Sequence, residues 1–137
     1  MEFGFSKEHA LLKQMYREFA ENEVKPLAAE VDEMERFPVE TVEKMVKAGF
    51  MGIPFPKKYG GEGGDNLGYA MAVEELSRVC GTTGVIVSAH TSLGAHPIFE
   101  FGTEEQKEKF LVPLAKGEKL GAFGLTEPNA GTDAAGQ

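Results

Sequence analysis

Apolar and polar positions follow a helical period along most of this chain. Leu11, Leu12, Met15, Tyr16 and Phe19 recur at three- and four-residue spacing behind Ser6, a residue suited to cap a helix start. The period restarts at Val24-Lys25-Pro26 with Leu27, Val31 and Met34. Because proline is tolerated in a first turn, this predicts a second helix or a kinked continuation of the first. The acids and bases from Glu21 to Arg36 read as its solvated side. A third helix opens at Pro38, carries Val39, Val42, Met45 and Val46 on one stripe, and stops at Gly49. A fourth, capped by Asp65 or Asn66, buries Tyr69, Ala72, Val73, Leu76, Val79 and Cys80, with Glu74, Glu75 and Arg78 on its flanks. From Thr82 to Gly94 the chain is apolar or small on nearly every side, which predicts a central, enclosed helix. Thr103-Glu104-Glu105-Gln106 spells a capping box, and the helix it opens passes Phe110 and Leu111 before Pro113 is expected to kink or end it.

Two stretches break this pattern. Between Phe50 and Asp65, prolines and glycines exclude continuous helix. Gly61-Glu62-Gly63 starts a dinucleotide-binding pattern whose third glycine position is Asn66, with no strand before it, so a structural turn is the better reading. The second break is Leu120 to Gln137, where charge gives way to small residues and hydroxyls. Leu120 to Leu125 alternates as a short, mostly buried strand, and Pro128, Asn129 and Gly131 then impose a compact loop. Its backbone N-H groups and the hydroxyls of Thr126 and Thr132 suit a flat or anionic ligand, but by composition alone a plain strand-to-turn connection is the better reading, since turn chemistry is common and ligand loops are few. The fold class is therefore all-α: a helical bundle of about six helices over residues 1–119, followed at 120–137 by a strand and loop.

Charge and composition narrow the function classes. Lys and Arg number 14 against 22 Asp and Glu, a net of -8, which repels nucleic acid and anionic membranes. No apolar run is long enough to span a bilayer, and Met1 to Phe5 lacks the basic and apolar parts of a secretory signal, so the expected location is cytoplasmic. Cys80 is the single cysteine, which excludes an internal disulfide and predicts a buried, inert thiol. His90 and His96 are six residues apart, on different helix faces, and read as packing or surface residues; no metal site is expected. Ser88, Thr91 and Ser92 either bond the backbone one turn back or line a pocket wall; spacing leaves both open.

The segment Gly121 to Gln137, with Thr126-Glu127-Pro128 and Gly131-Thr132-Asp133, resembles the flavin-contacting signature of the acyl-CoA dehydrogenase family. Tyr59 to Asp65 and Ala72 to Ser77 are similar to that family too, closest to bacterial short-chain, butyryl-CoA type members. The resemblance implies FAD, a short acyl-CoA thioester, α,β-desaturation to the enoyl-CoA, electron-transferring flavoprotein as acceptor, and a homo-oligomer, a tetramer in the family. It assigns cofactor contact to Phe123, Gly124, Leu125, Thr126, Gly131 and Thr132. It also assigns Thr132 to the substrate's pantetheine arm, and the helix of Ser88 and Ser92 to the acyl pocket. Asn129 stands where many members have glycine, and Phe123 where some have tyrosine. The resemblance further implies that residues 120–137 begin a middle β-domain and that the catalytic glutamate lies in a later helical bundle, so no catalytic residue is assigned here. A non-catalytic helical assembly module and an oxidase-like flavoprotein of the same superfamily remain as alternatives.

Overall fold

The computed structural model describes residues 4–137, so Met1, Glu2 and Phe3, part of the start read as lacking a signal, lie outside the described residues. Five helical rods account for most of it: α1 over residues 7–33, α2 Val39–Lys47, α3 Asn66–Val79, α4 over residues 81–101 and α5 over residues 104–115. The caps are those legible in the sequence. Ser6 accepts from the His9 amide at 3.1 Å, Asp65 from Gly68 at 2.8 Å, and Thr103 and Gln106 close a reciprocal box. Gly49 ends α2 in the left-handed conformation at φ 79°, which a side chain resists.

Five rods rather than six follow from how this chain treats proline. Pro26, Pro97 and Pro113 all sit inside continuous helix, where a missing N-H and a ring clash normally break the rod. In each case the preceding turn is a π turn: Lys25, His96 and Val112 donate to the carbonyls of Ala20, Thr91 and Lys107, five residues back. The widened turn moves the carbonyl that the ring would strike. So of the two readings at Pro26 the continuation of the first helix holds, and α5 runs past Pro113 to Ala115.

α3 packs between α1 and α4. Tyr16, Ala20 and Val24 from α1, Val42 and Met45 from α2, Met71, Ala72 and Leu76 from α3, and Val87 from α4 form one core, with Phe50, Met51 and Ile53 from the loop. Phe55, Tyr59, Ala95, Leu111, Leu114 and Ala115 form a second. Each such large apolar side chain contributes roughly 1.5 to 3 kcal/mol on burial. The glycine-rich loop is spent on itself: the amides of Gly61, Glu62, Gly63 and Gly64 donate to the carbonyls of Pro56, Gly52, Phe55 and Ile53. No amide of that run is left to cradle a phosphate, as the turn reading requires.

Four expectations are corrected. Glu75 is buried, held by Arg17 and Arg78, because salt bridging lets a carboxylate face α1. α4 is not enclosed among the described residues, for Val85 and Leu93 stand exposed on its outer side. Residues 120–126 have no regular secondary structure and form no ladder, since no partner strand lies beside them among the described residues. Leu120, Phe123 and Leu125 are accordingly 43%, 53% and 40% exposed rather than mostly buried. Cys80 is half-buried and lines an open cleft between α1 and the α3–α4 corner.

Candidate functional site

Two features converge on α4. The first is the segment after α5. Its entry is fixed by Gly121, whose amide donates to His90 Nδ1 at 2.9 Å. A Cβ on Gly94 would stand 2.8 Å from the Gly121 Cα, so the two backbones cross in direct contact. Beyond the crossing, Phe123, Gly124, Leu125 and Thr126 are exposed, and a Cβ on Gly124 would meet nothing within 4 Å. Glu127 and Ala130 then exchange both backbone hydrogen bonds, at 2.9 and 3.2 Å, closing a turn over Pro128 and Asn129. The Gln137 side chain donates back to the Leu125 carbonyl. Gly131 and Thr132 follow the turn, with Thr126 near enough that its methyl would lie 3.9 Å from a Cβ on Gly131. The six predicted cofactor residues thus share one open loop.

The second feature is a depression of about 390 Å³ between α3 and α4, lined by Pro54, Asn66, Tyr69, Ala70, Thr91, Ser92 and His96. Ser92 Oγ pairs with the Tyr69 hydroxyl at 2.8 Å, and that hydroxyl also reaches the Ser88 carbonyl at 3.3 Å. Of the two predicted serines, Ser92 lines this depression and Ser88 supports its Tyr69 wall. Thr91 Oγ1 is buried without a partner. The ring of Tyr69 packs against the core, as its stripe position predicts, and only the tertiary pairing with Ser92 reveals its polar end. His96 stacks edge-on against Phe99, ring centroids 6.1 Å apart.

His90 is buried, and its ring is neutral. Nδ1 accepts from Gly121, so the ring proton sits on Nε2. Burial holds its pKa below the ordinary histidine value, against smaller opposing contributions from the backbones of Met51 and Leu114.

A flavin fits these residues. An irregular backbone run whose amides at residues 122–126 find no partner among the described residues, with no side chain at Gly124, exposed apolar residues on either side and a hydroxyl at its end, admits a flat, partly apolar, hydrogen-bonding ring. Acidic side chains are confined here to Glu127 and Asp133.

Residues 6–118 match the family described as acyl-CoA dehydrogenase, N-terminal domain. The chain belongs to the acyl-CoA dehydrogenase family. It is 70% identical, over all 137 residues, to the short-chain specific acyl-CoA dehydrogenase of Clostridium acetobutylicum, of which it covers 36%. Among solved structures it superposes with a TM-score of 0.96 and 50% identity on a chain from the electron transferring flavoprotein work on Acidaminococcus fermentans, all of this chain on 36% of that one. It also matches an acyl-CoA dehydrogenase from Bacillus anthracis solved with FAD, at 39% identity and a TM-score of 0.89, 97% of this chain on 23% of that one. The chain therefore spans about a third or less of the length of these relatives. No helix among the described residues is long and apolar enough to cross a membrane.

Proposed function

We propose that this chain is the N-terminal portion of an FAD-dependent short-chain acyl-CoA dehydrogenase that desaturates butyryl-CoA-like thioesters between Cα and Cβ. The observation that carries the reading is 70% identity along the entire chain to a short-chain specific member of the family. The bound FAD of such an enzyme supplies the acceptor for the hydride leaving Cβ, while a base elsewhere in the protein takes the α-proton. In this reading residues 1–119 form the helical domain and residues 120–137 start the middle β-domain, whose further strands complete the sheet that Leu120 to Leu125 cannot form alone.

Phe123, Gly124, Leu125, Thr126, Gly131 and Thr132 would hold the cofactor. The bare backbone at Gly124 lets the ring approach, Phe123 and Leu125 keep water from it, and the Thr126 hydroxyl donates to a ring heteroatom. Thr132 bonds pyrophosphate or the pantetheine arm of the substrate. Ser92, with Ser88 behind Tyr69, borders the acyl chain. Electrons leave to an electron-transferring flavoprotein, and the assembled protein is a homotetramer in the cytoplasm. Turnover of the full-length protein across acyl lengths, with that flavoprotein or with dioxygen as acceptor, tests the reading. A maximum at butyryl-CoA with the flavoprotein is expected. A long-chain optimum overturns the substrate, and faster turnover with dioxygen points to an oxidase.

A further inference from the structure

His90 faces inward from α4, buried, and its ring makes one hydrogen bond, to the amide of Gly121. Nε2 is buried and, among the described residues, meets no hydrogen-bond acceptor at full geometry, although the Met51 and Leu114 backbones lie near enough to act on the ring. A leucine would fill such a site with no polar atom of its own to satisfy, but it would leave the Gly121 amide without its acceptor, so packing alone does not account for a histidine here. What the ring supplies is an acceptor aimed at a single peptide. Gly94, one turn along α4, supplies the matching steric limit: a Cβ there would lie 2.8 Å from the Gly121 Cα, and a Cβ on Gly121 would lie 3.1 Å from the Gly94 Cα and 3.2 Å from the His90 carbonyl oxygen. Residue 121 is thereby held at one point, with its amide direction set by Nδ1. Residues 122–129 are exposed beyond it, so packing next takes hold of the segment at Ala130.

We propose that His90 is a positioning residue: its neutral Nδ1, with Gly94 beneath, fixes where the chain leaves the helical domain and so the register in which Phe123 to Thr126 meet the flavin. The role rests on the flavin reading of those residues given above. An asparagine side chain carries an acceptor near the place of Nδ1 and should serve in its stead; a leucine has none.

The test uses the full-length protein, with and without FAD, as His90→Leu, His90→Asn and, as a control for a buried site on the same helix, Thr83→Val. Hydrogen–deuterium exchange is followed in peptides spanning residues 117–125, and the absorption spectrum of bound flavin is recorded alongside. His90→Leu should raise exchange there about fivefold, as loss of one hydrogen bond does, leave α3 protected, and shift the flavin bands. His90→Asn should restore both readouts, and Thr83→Val should move neither. Unchanged exchange in His90→Leu overturns the role, as does raised exchange with a wild-type spectrum or failure of asparagine to restore. Should His90→Leu not fold, the asparagine variant decides: wild-type protection and spectrum uphold the role, and their loss overturns it. Failure of the wild-type protein to take up FAD overturns the flavin reading and this role with it, whereas FAD uptake with unchanged exchange in His90→Leu overturns the role alone.

Discussion

Arg17 and Glu75, 58 residues apart, meet in a two-pronged ion pair, Nε to Oε2 at 3.0 Å and Nη2 to Oε1 at 2.9 Å, that fastens α1 to α3. Arg78 Nε adds a third bond at 3.1 Å. Glu75 is 1% exposed, whereas the Arg17 side chain remains 58% exposed. Glu75→Gln keeps the shape and removes the charge. Hydrogen bonds to charged groups are worth roughly 1.5 to 3 kcal/mol, and the wet side of Arg17 reduces that, so a loss of about 1 to 2 kcal/mol is expected. Glu74→Gln, which breaks only an exposed pair to Lys13, should cost under about 0.5 kcal/mol. The two urea midpoints measure the difference, and equal midpoints would show that the burial of Glu75 carries no weight.

The same pair sets a pH dependence. Hydrogen bonding from Arg17, aided by Arg78, holds the Glu75 carboxyl below its ordinary value of 4.5, against desolvation. A carboxyl depressed in the folded state stabilises it above the unfolded pKa, and that stability drains away as pH falls through the folded one. The gap between wild type and Glu75→Gln should therefore be constant from neutral pH down to about 5 and narrow below about 4.5. Unfolding midpoints across that range test it; a gap that widens on acidification would reverse the sign.

Gly61 tests the glycine loop as structure. A Cβ there would stand 2.2 Å from the Phe55 carbonyl oxygen and 2.7 Å from that of Gly52, both backbone atoms of the loop that also receives the amides of residues 62 and 63. Gly61→Ala should cost more than about 2 kcal/mol, as overpacking against fixed backbone does. Gly81→Ala, at the start of α4 with nothing within 4 Å, should be neutral or slightly stabilising. Thermal unfolding of the two variants separates close approach from mere loop flexibility, and equal melting temperatures would count against the packing account.

Which features were readable in the chain depends on the range of their causes. The caps at Ser6, Asp65 and Thr103 act within three residues, so the sequence displays them whole. The π turns before Pro26, Pro97 and Pro113 act at the same range, but no residue type marks them, so the sequence leaves Pro26 open between a new helix and a continuation and Pro113 between a kink and an end. The flank reading of Glu75 fails, and the polar end of Tyr69 stays hidden beside its correct core packing, because these environments come from α1 and α4, brought close only by folding. The alternation from Leu120 to Leu125 is real, yet a strand is a property of a pair, and the described residues hold no partner. Of the candidate site, its residue types and its loop were legible. The anchor that fixes the loop, His90 on Gly121, joins positions whose local patterns are unrelated, and from the sequence His90 was placed no further than a packing or surface residue.

Thr126 is the sharpest test of the proposed flavin contact. It is exposed at the end of the irregular run, one residue before the turn closed by Glu127 and Ala130, and its hydroxyl adds a donor without adding charge. Thr126→Val keeps the volume and removes the donor. One hydrogen bond to the ring, worth about 0.5 to 1.5 kcal/mol, corresponds to a two- to about thirteenfold slower flavin reduction if it strengthens in the transition state. Were the hydroxyl instead only a stabiliser of the turn, the melting temperature would fall while reduction per bound flavin stayed at the wild-type rate. Stopped-flow reduction by butyryl-CoA and thermal unfolding, both on the full-length variant, separate the two. A slower reduction or shifted potential at unchanged melting temperature is expected, and a wild-type rate and potential would remove Thr126 from the cofactor site.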